Sequence, residues 1–305
     1  MALLRRCSVV LAGVLLAACG GGDDGAAPAT TTIPPPTTVA PTTVPVTTVP
    51  PTTAAPTTLA PTTTAPDEVT CTELTYPSSG MTIPGERCIP TAPATAPRPA
   101  AIVLHGCDGY ADDDEITGDI VRALAGKGIV ALRIDYMAAK PAPRGTYCDP
   151  IAVVGAAQPL LQAIDDGVAA LRTDPGVDPT RIGAAAHSLG SLASLATHLG
   201  GGGVAQVPPA SFAAAALLSY PNLLPSVLDA ARTGGVPPLL LITGDIDTIT
   251  PTAHAQALAD AATAGGVPVD FRIWPGQDHP FRGAASDQAA TDIADYLAQQ
   301  LAASS

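Results

Sequence analysis

Three short stretches carry side chains that could act together on an acyl group. Ser188 stands in Ala186-His187-Ser188-Leu189-Gly190, Asp247 in Gly244-Asp245-Ile246-Asp247, and His279 in Pro275-Gly276-Gln277-Asp278-His279. A serine hydroxyl is a weak nucleophile at neutral pH and needs an adjacent base. An imidazole titrates near neutrality, so it can take that proton and return it to a leaving alcohol. A carboxylate can orient the imidazole and stabilise its charged form. The spacing around Ser188 suits a sharp strand-to-helix turn, which needs small residues two before and two after the serine. Gly190 meets the second requirement, and Ala186 stands where such turns have glycine. A plain helix cap is the competing use of a serine at this place.

The elements that must position these groups are legible as an alternation. Short apolar runs predict strands at Ala101–Leu104, Ile129–Ile134, Ile182–Ala186, Phe212–Leu218, Leu239–Thr243 and Val269–Trp274. Helical spacing predicts helices at Ile116–Lys127, Ile151–Leu171 (with Pro159 as a break or first turn), Leu189–Leu199, Ala253–Ala264 and Ser286–Leu301. Strands alternating with helices indicate an α/β fold with a mostly parallel central sheet. Continuous apolar strands indicate helices on both faces. Such sheets carry their chemistry at the carboxyl ends of the strands. Ser188, Asp247 and His279 each follow a predicted strand, in the chain order Ser, Asp, His.

Together with Leu104-His105-Gly106-Cys107-Asp108-Gly109, these motifs resemble the α/β-hydrolases, and more closely their dienelactone hydrolase branch, over residues 99–302. The resemblance implies an α/β-hydrolase fold with Ser188 as nucleophile, His279 as base and Asp247 as acid. It favours Asp247 over Asp245, which suits a turn. Dienelactone hydrolases proper use a cysteine nucleophile. Serine here points away from that lactone and toward a general serine esterase working through an acyl-enzyme. The oxyanion donors of this fold are the N–H after the nucleophile, here Leu189, and one from the loop after the first long strand, here Cys107. No metal or organic cofactor is expected. An acyltransferase, thioesterase, polyester hydrolase or peptidase would use the same triad, and a surface binding module of low turnover is a different class of reading.

Other residues receive plainer readings. Tyr110 and Tyr147 are weak candidates for lining a substrate pocket, from their loop positions. His187 reads as a structural residue of the turn, and His105 as one packed under the oxyanion loop. The run Asp112-Asp113-Asp114-Glu115 reads as a solvated helix N-terminus, where carboxylates are favoured.

Composition divides the 305 residues into three segments. The net charge of −13 argues against a nucleic-acid binder. No stretch after residue 18 is apolar for the ~20 residues a spanning helix needs. Arg5 and Arg6 followed by apolar Ser8–Ala18 read as a signal peptide over residues 1–18. Leu16-Ala17-Ala18-Cys19 resembles a bacterial lipobox, which implies lipidation of Cys19, attachment to the membrane and a place in the cell envelope outside the cytoplasm; an ordinary secretory signal is the alternative. Residues 26–66 hold 16 Thr and 11 of the 33 Pro, with no charge and no aromatic ring. Such a segment cannot bury enough surface to offset its ordering entropy, so residues 19–66 read as a lipidated cysteine and an extended stalk. Threonines beside prolines also suit O-glycosylation. The folded part, residues 67–305, reads as a monomeric hydrolase domain acting on a small-molecule or lipid-like ester. Its four cysteines suggest two disulfides in an exported protein. Of three possible pairings the simplest is Cys71–Cys88 with Cys107–Cys148.

Overall fold

The computed structural model describes residues 69–302. The export signal, Cys19 and the stalk read from the sequence lie outside the described residues. Eight strands and six helices follow one another: β1 (Val69–Ser78), β2 (Met81–Pro90), β3 (Arg98–Leu104), α1 (Asp114–Gly126), β4 (Val130–Ile134), α2 (Pro150–Thr173), β5 (Val177–His187), α3 (Leu189–His198), β6 (Ala215–Leu218), α4 (Pro225–Arg232), β7 (Leu239–Gly244), α5 (Thr252–Ala264), β8 (Val269–Trp274) and α6 (Ala284–Ala302). The sheet order is β1-β2-β4-β3-β5-β6-β7-β8. β1 and β2 run antiparallel, and β4 to β8 form the parallel block with β3. This is the mostly parallel α/β-hydrolase sheet that the motifs implied.

Side-chain alternation divides the core in two. Ile102, Leu104, Ala184, Ala186, Leu217 and Leu241 face the cluster built with α2 and α3. Ala101, Val103, Ala185, Ala216, Leu218 and Ile242 face the cluster built with α1 and α6. The period of two places successive residues on opposite faces, and both faces are covered. Strand runs such as Leu239–Gly244 are therefore buried throughout.

Three features differ from the sequence reading. First, β1 and β2 form a hairpin that no apolar run announces, because its residues alternate between buried and exposed. Ser79 and Gly80 close it, both at positive φ, as a two-residue turn requires. Cys71 faces Cys88 across this pair, and the two are disulfide-bonded. Second, α2 runs unbroken through Pro159. Proline removes the N–H that would reach Gly155, and Lys140 Nζ donates to that carbonyl instead, at 3.3 Å. Third, α4 fills a stretch left without an element. Its eight residues begin at Pro225, in the first helical position where a missing N–H costs nothing.

Candidate active site

The carboxyl ends of β3, β5, β7 and β8 meet at one edge of the sheet. β5 ends at His187, and the chain turns at Ser188 into α3. Ser188 has φ 53° and ψ −122°, a conformation that costs a non-glycine residue about 1–3 kcal/mol. The turn holds because Ser188 N–H donates to Leu218 O at 2.9 Å and Ser191 Oγ donates to both Ala186 O and Leu218 O. Gly190 lies against β3: a Cβ there would stand 2.7 Å from the carbonyl oxygens of Leu104 and His105. Ala186 is tolerated at the other small position, fully buried on β5.

His279 Nε2 lies 2.9 Å from Ser188 Oγ, and His279 Nδ1 lies 2.9 Å from Asp247 Oδ2. All three residues are buried. Asp247 Oδ1 accepts the N–H groups of Ile249 and Thr250, and its Oδ2 also accepts the Thr250 hydroxyl at 2.6 Å. Burial opposes the charge on Asp247, but the His279 and Thr250 hydrogen bonds outweigh it and hold the carboxyl well below its ordinary range. Thr250 Oγ1 stands 3.1 Å from His279 Nδ1, so it touches both members of the pair. Its hydroxyl was missed in the sequence, where threonines are abundant and nothing marks this one. Asp245 instead accepts the Gly276 N–H, tying the turns after β7 and β8 together.

The loop after β3 passes directly over the serine, since a Cβ on Gly106 would lie 3.1 Å from Ser188 Cβ. Cys107 follows in that loop and is disulfide-bonded to Cys148. Leu189 is the first residue of α3, so its N–H is one of those a helix leaves unpaired. The two backbone donors named from the sequence thus lie on the two segments that flank Ser188. Below them His105 stacks on Tyr136, whose hydroxyl donates to His105 O at 2.9 Å.

Asp113 departs from the expectation of a solvated helix terminus. Its side chain is only 13% exposed and sits 2.8 Å from His187 Nδ1. Asp113 Oδ2 also accepts the Gly106 N–H. His187 Nε2 faces His279 O at 3.2 Å, so both ring nitrogens of His187 meet acceptors, an arrangement that favours the charged ring. Burial works against that charge, but the Asp113 carboxylate raises the His187 pKa above its ordinary value. Asp113 is correspondingly lowered to about 2, His187 overcoming the cost of burial.

The two tyrosines occupy structural places. The Tyr147 side chain is buried, with its hydroxyl on Lys140 O. Tyr110 lies over the Arg133 guanidinium, 4.3 Å from its ring centre. Both border a cleft of mixed polar and apolar lining beside Cys107. A different, apolar groove opens beside Leu189, between α2 and α3. Among the described residues, the two clusters of potential metal ligands are each built on disulfide sulfurs.

The model of the dienelactone hydrolase family matches residues 87–303. The chain belongs to the dienelactone hydrolase family. As a member it is a carboxylic ester hydrolase. Solved structures share the fold at low identity. A protein of Klebsiella pneumoniae subsp. pneumoniae MGH 78578 assigned to the dienelactone hydrolases is 21% identical, with TM-score 0.59, over 77% of this chain and 99% of that one. The dienelactone hydrolase-like promiscuous phosphotriesterase P91 from metagenomic libraries is 17% identical, with TM-score 0.56, over 76% and 98%. The thermophilic carboxylesterase EstE1, from a metagenomic library, is 17% identical, with TM-score 0.58, over 76% and 89%. No curated protein sequence matches the chain.

Proposed function

We propose that this family member is a serine esterase that works through an acyl-enzyme on Ser188, outside the cytoplasm. The observation that carries the reading is the relay from Ser188 Oγ through His279 to Asp247, with 2.9 Å at each step. His279 takes the Ser188 proton as Oγ attacks the ester carbonyl. The tetrahedral oxyanion is held by the N–H groups of Leu189 and Cys107. His279 then protonates the leaving alcohol, and water repeats the sequence to release the acid. Each oxyanion donor accounts for about 3–4 kcal/mol of transition-state stabilisation.

A fluorophosphonate probe tests this directly. Wild type is labelled and cleaves p-nitrophenyl esters, and Ser188→Ala abolishes both. Labelling that persists in Ser188→Ala would place the nucleophile elsewhere. The lipobox-like Leu16-Ala17-Ala18-Cys19 supports a lipid anchor in a bacterial envelope. Cys19→Ser then releases the protein from the membrane fraction or blocks its processing; unchanged partition removes the anchor from the reading.

A further inference from the structure

We propose that the apolar groove beside Leu189 is the acyl-chain subsite, so that this esterase prefers esters of straight, medium-length aliphatic acids. The proposal rests on Ser188 being the nucleophile.

The groove lies next to the residue that follows the nucleophile. Leu189 lines it and follows Ser188 directly. Tyr136 borders it too, and the Tyr136 hydroxyl holds the His105 carbonyl at the base of the loop that carries Cys107. One end of the groove therefore abuts both segments that flank Ser188. From there it follows a single face of α3, through Leu192 and Ala193 to Ala196. Residues three and four apart share a helix face, and seven residues rise about 10 Å. That is about the reach of an octanoyl chain. Val153 to Leu161 of α2 form the opposite wall.

The lining chemistry selects the ligand. No charged side chain borders the groove, and its surface is carbon almost throughout. A second carboxylate on the acid would find no partner there and would pay for desolvation. Running between α2 and α3 and open to solvent along its mouth, the groove suits a straight chain better than a branched or aromatic one. Val154 and Leu223 rim it at 47% and 38% exposure, an apolar lip that an alkyl chain would cover. The cleft beside Cys107 differs in carrying charge among its apolar residues. It is bordered by Asp108, Asp112, Asp135 and Arg144, with Arg144 paired to Asp112 at 2.8 Å.

The experiment is a chain-length series of p-nitrophenyl acetate, butanoate, hexanoate, octanoate and palmitate with the full-length protein. Burying each added methylene raises kcat/KM by roughly fourfold at first. The profile peaks at hexanoate or octanoate and falls at palmitate. Val154→Trp closes the mouth at a half-exposed site and Ala193→Leu fills the slot from within. Each lowers kcat/KM for octanoate at least tenfold more than for acetate, so the optimum moves to shorter chains. A flat profile in wild type, or an optimum unmoved in both variants, overturns the subsite while acetate cleavage leaves the Ser188 mechanism standing. Failure to cleave any ester, with no fluorophosphonate labelling, overturns the serine esterase reading and the subsite with it.

Discussion

Two buried carboxylate–imidazole pairs lie side by side in this fold, with the rings of His279 and His187 5.1 Å apart. Each imidazole points Nδ1 at an aspartate, at 2.9 Å for Asp247 and 2.8 Å for Asp113. They differ at the other nitrogen. His279 Nε2 faces the Ser188 hydroxyl, which can both give and accept a proton. His187 Nε2 faces the His279 carbonyl, which can only accept. The first pair can therefore pass a proton. The second is held as a fixed ion pair, and its task is positional. Through Asp113 it grips Gly106 in the loop over the serine, and through its ring it grips the loop that carries His279. The same two residue types become a relay or a clamp according to what stands at one ring nitrogen.

Breaking the first pair has the largest effect. Asp247→Asn lowers kcat about 10⁴-fold, because the imidazole loses its orientation and the support for its charged form. Steady-state kinetics on p-nitrophenyl butanoate reads it. An equal loss from Asp113→Asn would erase the distinction between relay and clamp.

Breaking the second pair costs less activity and more stability. Asp113→Asn lowers kcat roughly 10- to 100-fold by loosening the two loops. It lowers Tm by roughly 5 °C at pH 5.5. The pH dependence follows from both members. Asp113 is depressed to about 2 from 3.8, so its contribution is present above about pH 4 and is lost as pH falls through about 2. His187 is raised from 6.5, so its contribution is present below that value and is lost as pH rises through the raised pKa. The Tm difference between wild type and Asp113→Asn is therefore widest between about pH 4 and 6.5, as differential scanning fluorimetry across pH would show. A difference that grows above pH 8 would contradict the ion pair.

The smallest change sharpens the first pair. Thr250→Val removes the hydroxyl that touches both Asp247 and His279. It lowers kcat roughly fivefold, the worth of one hydrogen bond of about 1 kcal/mol. The pH–rate profile separates this from a packing defect. Losing a bond to the pair moves the acid limb, whereas a merely structural change lowers the whole curve uniformly.

The parts of the site that could be read in advance are those whose signal is local. Apolar runs mark β3, β5, β7 and β8, and Ser188, Asp247 and His279 each follow one within a few residues. Gly190 was legible because a helix entering so close to β3 excludes any side chain. The β1–β2 hairpin was not, since its strands lie at the sheet edge and carry no continuous apolar run. Pro159 misled because its effect depends on Lys140, nineteen residues earlier in the connection between β4 and α2. Asp113 misled because an acidic run before a helix ordinarily faces water. Here one of its carboxylates turns inward to an imidazole 74 positions along the chain.

The sequence by itself determined the α/β alternation, the strand ends on which the chemistry stands, and the residue types able to perform it. These follow from periodicity, turn sterics and intrinsic acid–base character, which act over a few residues. The tertiary structure alone decided which aspartate meets which histidine, which hydroxyl joins them, and that an apolar groove opens beside Leu189. Those outcomes depend on how the parallel strands register and how α2 packs on α3, and such distances are set only when segments remote in the chain are brought into contact.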